Sequence, residues 1–142
     1  MVGEKKIRLG IWDTNGKEKS QQELHKISEK LHAVIICFSL CDRKSFKEVE
    51  YYMKFAQKEC PAEPYLMLIG TNYDKWKSRV VTYDEAETFA MSNGLSYFET
   101  SAKDDINVDE AFQLLSEEMA KKFYGKEEAP ETEKSNGECS IF

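Results

Sequence analysis

Ala33-Val34-Ile35-Ile36-Cys37-Phe38-Ser39-Leu40 is the stretch whose reading decides the fold. It is apolar at odd and even positions alike, so neither face of an extended strand made from it would be wet. That is the pattern of a strand buried on both sides in a parallel sheet covered by helices. The run is far too short to cross a bilayer.

Working outward, the same alternation of elements repeats. Downstream, Ser45 with Glu48 forms a capping box that predicts a helix with Val49, Met53, Ala56 and Cys60 on its apolar stripe. Pro61 and Pro64 end it. Tyr65-Leu66-Met67-Leu68-Ile69 reads as a second buried strand. Thr82 with Glu85 caps another helix, which Gly94 closes in the position of a left-handed C-terminal cap. Ser96-Tyr97-Phe98-Glu99 is a short strand. Asn107 with Glu110 opens a last helix with Val108, Ala111, Phe112, Leu115, Met119 and Phe123 on one face, stopped by Gly125. Upstream, Lys6-Ile7-Arg8-Leu9-Gly10-Ile11 alternates as a strand with one wetter face. Ser20 with Glu23 starts a helix carrying Leu24, Ile27 and Leu31. Strands alternating with helices imply a parallel sheet with helices on both faces.

The 142 residues fit one domain, and 41% apolar residues are enough for a single core. Twenty basic against 26 acidic residues give a formal charge of −6. This argues against general nucleic-acid binding, which needs clustered Lys and Arg. Met1-Val2-Gly3-Glu4-Lys5-Lys6 lacks the apolar stretch of a secretory signal. Cys37, Cys41, Cys60 and Cys139 form no C-x-x-C pair or metal-ligand pattern and read as reduced cytosolic thiols. His25 and His32 have no Cys or acidic partner at ligand spacing and read as surface or packing residues. Residues 1–125 therefore read as the domain. Residues 126–142 read as a disordered acidic tail, with five Glu against two Lys from Lys126 to Glu138.

In open parallel sheets ligands bind outside the carboxyl ends of the strands. Three such junctions stand out: Trp12-Asp13-Thr14-Asn15-Gly16-Lys17-Glu18, Gly70-Thr71-Asn72-Tyr73-Asp74, and Thr100-Ser101-Ala102-Lys103. Taken singly, each is an ordinary polar loop. Together, in this order and each at a strand end, they resemble the motifs of Ras-superfamily small GTPases, and Trp12-Asp13-Thr14 with Glu99-Thr100-Ser101-Ala102-Lys103 resembles the Rab-like branch. Gly70 to Asp74 is also similar to the septation-signalling branch, so the subfamily stays open.

The resemblance covers roughly Lys5 to Gly125 and implies roles for these residues. Asp13 would hold a magnesium-bound water, and the Gly16 amide would touch the γ-phosphate. Lys17 stands where the family has the Gln that orients the attacking water. Asp74 would accept both N–H groups of the guanine edge. Thr71 is an accepted variant of its position, and Asn72 replaces the Lys that lies over the base. With Ser101 at its head, the third loop would offer the Ala102 amide to the guanine carbonyl and stack Lys103 on the base. All three loops are expected to converge on one guanine-shaped crevice at one rim of the sheet. GTP or GDP with magnesium is the implied cofactor.

No G-x-x-x-x-G-K-[ST] occurs in the sequence; Gly10 to Gly16-Lys17-Glu18 has five intervening residues and no hydroxyl for magnesium. The family places its phosphate loop and first switch before the segment matching Lys5. The chain thus reads as an α/β, Ras-like P-loop NTPase fold that is N-terminally truncated, lacking the first two strands and first helix. The resemblance assigns the missing first strand to the middle of the sheet, between the strands at Lys6–Ile11 and Ala33–Leu40. Burying four or five aliphatic side chains there would contribute on the order of 10 kcal/mol. Without that strand the fold is expected to be marginal unless its neighbours close the gap or a partner fills it.

Cys139-Ser140-Ile141-Phe142 fits the C-a-a-X prenylation box, the final Phe favouring geranylgeranyl transfer. The functional expectation is a prenylated, guanine-nucleotide-dependent switch in membrane traffic or signalling, with GTP binding and hydrolysis weakened. The alternatives are an inactive pseudo-GTPase acting as a membrane-tethered interaction module, or a truncated gene product. Expected partners are effector and regulator proteins, a prenyltransferase and, through the lipid, the cytoplasmic face of a membrane; nucleic acid is not among them.

Overall fold

A computed structural model of the chain describes residues 6–14, 28, 30–60, 63–124 and 138–141. Its centre is the decisive stretch, which forms strand β2 (Ala33–Ser39), preceded by β1 (Arg8–Ile11) and followed by helix α1 (Arg43–Glu59). Strand β3 (Tyr65–Thr71), helix α2 (Tyr83–Ser92), strand β4 (Ser96–Glu99), helix α3 (Val108–Tyr124) and strand β5 (Glu138–Ile141) complete the order. The sheet runs β1-β5-β2-β3-β4, and every strand pair in it is parallel.

The two-sided burial predicted for β2 is complete on one face and partial on the other, where Ala33 is buried, Ile35 half-buried and Cys37 exposed, because the neighbouring β5 meets β2 only at Ala33. Val34, Ile36, Phe38 and Leu40 face a core made with Val49, Met53 and Ala56 of α1 and Ala86 and Ala90 of α2. Ala33, with Met67 and Ile69 of β3, faces a second core built on Ala111, Leu115 and Met119 of α3. No helix among the described residues is long and apolar enough to cross a membrane.

Helix starts follow the sequence less closely. Thr82 caps α2 as expected, accepting from the Glu85 amide at 3.3 Å. Helix α1 begins earlier than its capping box implied: Asp42 is the cap, accepting from the Lys44 amide at 2.9 Å. Ser45 is drawn into other bonds, accepting from the Ser39 amide at 2.9 Å and donating to the Asp42 carbonyl at 2.7 Å. A hydroxyl used this way fastens the end of β2 to α1 and is no longer a cap. Asn107 likewise does not cap α3 with its side chain; at φ 57° it donates to the Glu99 carbonyl at 2.8 Å. The helix expected after Ser20 lies outside the described residues apart from helical Ser28 and buried Leu31.

The last four described residues differ most from expectation. The sequence assigned 126–142 to a disordered tail, yet Glu138–Ile141 is a parallel strand between β1 and β2. It occupies the position where a central strand was expected to be missing. The physical reason is the edge of β1: a strand there gives backbone partners to β1 at all four of its positions and meets β2 at the Ala33 corner.

Candidate guanine-recognition site

The loops after β3 and β4 leave the same rim and are bound to each other. The Thr100 amide donates to the Gly70 carbonyl at 2.8 Å, and the Tyr73 amide donates to the Thr100 carbonyl at 3.0 Å. These bonds carry the β3–β4 ladder past the strands into the loops. Gly70 lets the layers close here: a Cβ on it would lie 2.8 Å from Leu40 Cδ2 and 3.1 Å from the Tyr97 hydroxyl.

Thr71 ends β3 and donates through Oγ1 to the Phe38 carbonyl at 3.0 Å. Asn72 then turns the chain with left-handed backbone angles (φ 65°, ψ 36°), which Asn tolerates better than most residues. Its carbonyl receives the Lys75 amide at 3.0 Å, opening a 3₁₀ turn over Tyr73–Ser78. Its side chain points back into the protein, Nδ2 donating to Ser39 Oγ at 2.9 Å. Asn72 therefore clamps the end of β2 to the end of β3.

Asp74 is half-buried in that turn. Its Oδ1 accepts the Ser101 hydroxyl at 2.9 Å. Ser101 is fully buried, and its Oγ also accepts the Asp104 amide at 3.1 Å. Its own backbone forms a reciprocal pair with Ile106, at 3.1 and 2.9 Å. The loop is thereby closed at its neck, leaving Ala102 and Lys103 on its exposed outer side.

Beneath the loop, Glu99 is buried and receives both guanidinium arms of Arg79, with Nη1 to Oε2 at 2.9 Å and Nη2 to Oε1. The Tyr97 hydroxyl also donates to Oε1, at 2.7 Å. The pairing raises the Arg79 pKa, while burial first and then the Glu99 carboxylate push the Tyr97 phenol up. Sequence reasoning found Glu99 only as the head of a motif. Arg79 carried no local signal, being 20 residues away and outside every periodic segment.

Asp13 also follows the carboxyl end of a strand, that of β1, but at a different level of the sheet. Ile11, at the end of β1, is in register with Ile141, and Ile141 with Ala33, the first residue of β2. The Thr71 loop starts instead from the level of Ser39, the last residue of β2. At about 3.3 Å per residue the two rows are roughly 20 Å apart along the strands. Asp13, two residues beyond Ile11, is exposed. Its carboxylate is felt at Cys37, whose thiol is pushed up first by burial and then by Asp13. The structure thus joins Thr71, Asn72, Asp74 and Ser101 and holds Asp13 short of them. Gly16 and Lys17 lie outside the described residues.

Closed loops of this kind, at the carboxyl ends of β3 and β4 and tied by an Asp–Ser bond, belong with a family match over nearly the whole chain. The model of the Ras family matches residues 1–121. The chain belongs to the Ras family of small GTPases. Within the Ras family it is Rab-like. It is similar to the Ras-related protein Rab-19 of Mus musculus, 35% identical over 81% of this chain and 54% of that protein. It is also similar to Rab-26 of Rattus norvegicus, 32% identical over 80% of this chain and 44% of the relative. Rab-2B of Dictyostelium discoideum is 36% identical over 85% of this chain and 60% of the relative. The chain spans about half the length of the curated relatives it matches.

The Ras family uses GTP or GDP with magnesium. At the guanine end the residues fit: Asp74 sits half-open at the rim with one oxygen oriented by Ser101, and Lys103 is exposed beside it. At the phosphate end they do not fit, because Asp13 is held several residues short of the other two loops. Among the described residues no group of His, Cys, Asp or Glu is arranged to hold a metal ion.

Proposed function

We propose that this chain is a Rab-like guanine-nucleotide-responsive protein of membrane traffic or signalling, whose residues recognise guanine weakly and turn over GTP poorly. The observation that carries this reading is the Ser101–Asp74 bond, which orients the carboxylate that would read the guanine edge. Asp74 would accept the two guanine N–H groups, the Ala102 amide would meet the carbonyl oxygen, and Lys103 would lie over the base. A bidentate base contact contributes about 1–3 kcal/mol. Stacking adds about 1–3 kcal/mol. Their sum is close to the roughly 4 kcal/mol of millimolar binding and well short of the ~8 kcal/mol of micromolar binding.

The phosphate side supplies little of the difference. Asp13 stands apart, Asn72 turns inward to Ser39 where the family has a Lys over the base, and Lys17 replaces the water-orienting Gln. An ammonium group cannot accept a hydrogen bond from water as an amide oxygen does. The same observations favour the second reading, a pseudo-GTPase that works as a protein-interaction module toward effectors and regulators. In either reading a prenyltransferase would modify Cys139 of Cys139-Ser140-Ile141-Phe142 and attach the protein reversibly to the cytoplasmic face of a membrane.

Titration of the 142-residue chain with a fluorescent GDP analogue and magnesium tests the reading. Weak binding near the millimolar range that disappears in Asp74→Ala supports it. Micromolar affinity, or binding indifferent to Asp74→Ala and to the choice of purine, overturns it.

A further inference from the structure

We propose that β5 is a gate on its own modification: while Glu138–Ile141 lies in the sheet, Cys139 is withheld from any enzyme that must grip the C-terminal residues, and release of β1 frees it. This deepens the lipidation reading above and rests on it.

The backbone pairing is the first observation. Four consecutive positions of β5 are in register with β1: Glu138 with Arg8, Cys139 with Leu9, Ser140 with Gly10 and Ile141 with Ile11. On its other side Ile141 is in register with Ala33. A transferase acting on Cys139 must take this same segment into its own cleft. A strand held on both sides is not available to be taken, so pairing and modification exclude each other.

The second observation concerns which side yields. Strands β2, β3 and β4 are locked into the two cores by α1, α2 and α3. Strand β1 is a four-residue edge strand whose ends, Arg8 and Ile11, are exposed. It meets the rest of the sheet through β5, and β5 meets β2 only at the Ala33 corner. Strand β1 thus holds β5 at four positions and β2 holds it at one, so β5 stays in the sheet chiefly through β1. Of β1 itself Leu9 packs against a core, and an edge strand with so few buried contacts opens locally without global unfolding. The chemistry that opening permits is thioether formation. The Cys139 sulfur attacks C1 of an isoprenyl diphosphate, the C1–O bond breaks, diphosphate leaves, and the thiol proton passes to solvent.

The double variant L9P/G10P tests the gate without touching the C-terminal motif. Successive strand N–H groups point to opposite sides, so one of the two prolines removes a donor facing β5 whichever way β1 is turned. Full-length wild type, the variant and the peptide Asn136–Phe142 are each treated with a protein geranylgeranyltransferase and geranylgeranyl diphosphate. Parallel samples are digested with a carboxypeptidase, and amide exchange is followed in 8–11, 65–71 and 138–141. The expected result is that the variant and the peptide are prenylated and trimmed at least tenfold faster than wild type. In the variant, exchange should rise in 8–11 and 138–141 while 65–71 stays protected. Equal rates for wild type and variant in both enzyme assays overturn the gate, as does open-chain exchange of 138–141 in wild type. A peptide that is trimmed but never prenylated overturns the lipidation reading alone, and the carboxypeptidase ratio then decides the gate.

Discussion

The Ser101 hydroxyl donates to Oδ1 of Asp74 at 2.9 Å, joining two loops 27 residues apart in the chain. Because Ser101 is fully buried, its hydroxyl position is fixed by packing, and the carboxylate is aimed by a rigid donor. Ser101→Ala should cost about 1–2 kcal/mol, from the lost bond and the unanswered Asp104 amide. Urea denaturation measures this. A loss below about 0.5 kcal/mol would show that the tie contributes nothing to the fold.

Arg79→Ala should be more damaging, at about 3 kcal/mol, since it leaves the buried Glu99 carboxylate without its cation. Adding Glu99→Gln should recover part of that loss, because an amide is cheaper to bury than an unpaired charge. Equal stability of the single and double variants would contradict this account.

Protonation of His32 should weaken the fold. Its imidazole meets the Phe123 ring edge-on at 4.8 Å, and its pKa is lowered from the usual 6.5, first by burial and then by the nearby Lys122. With the folded value below the unfolded one, the unfolded chain binds the proton more tightly. Stability from this group is complete above about pH 6.5 and declines as pH falls from there toward the folded value. Melting curves at pH 7.5 and 5.5 should show a larger drop for wild type than for His32→Gln. An identical drop in both proteins would remove His32 from the account.

Asp13→Asn should lower the Cys37 pKa by removing the second of its two causes. Alkylation of Cys37 at pH 8, followed by peptide mass, should then quicken roughly two-fold, since the thiolate is the reacting species. An unchanged rate would mean that Asp13 does not lie beside β2.

Much of the fold was readable because its signals are local. Ala33–Ser39 and Tyr65–Thr71 are apolar on both faces, and Val49, Met53 and Ala56 recur at helical spacing, so strands and helices declare themselves. The loops after β3 and β4 were readable as motifs, and their junction through Ser101 is what the folded chain adds. Features decided by distant partners were not readable. Ser45 looked like a cap until Ser39 and Asp42 competed for its hydroxyl. Nothing near Arg79 points to Glu99, and nothing in Glu138–Ile141 announces a strand. That segment is a strand because β1 offers it a partner at four positions and β2 at one, which is a property of the rest of the molecule.

The place of β5 also sets a clock. Arg8 leaves the ribosome early but cannot take its seat until Glu138 has been synthesised, since their two strands are neighbours in the sheet. Helices α1 to α3 can collapse on β2–β4 while translation continues. Strand β1 is therefore made before β2–β4 but docks after them, and a nascent chain stalled before Glu138 would leave that strand loose, open to chaperones or proteases.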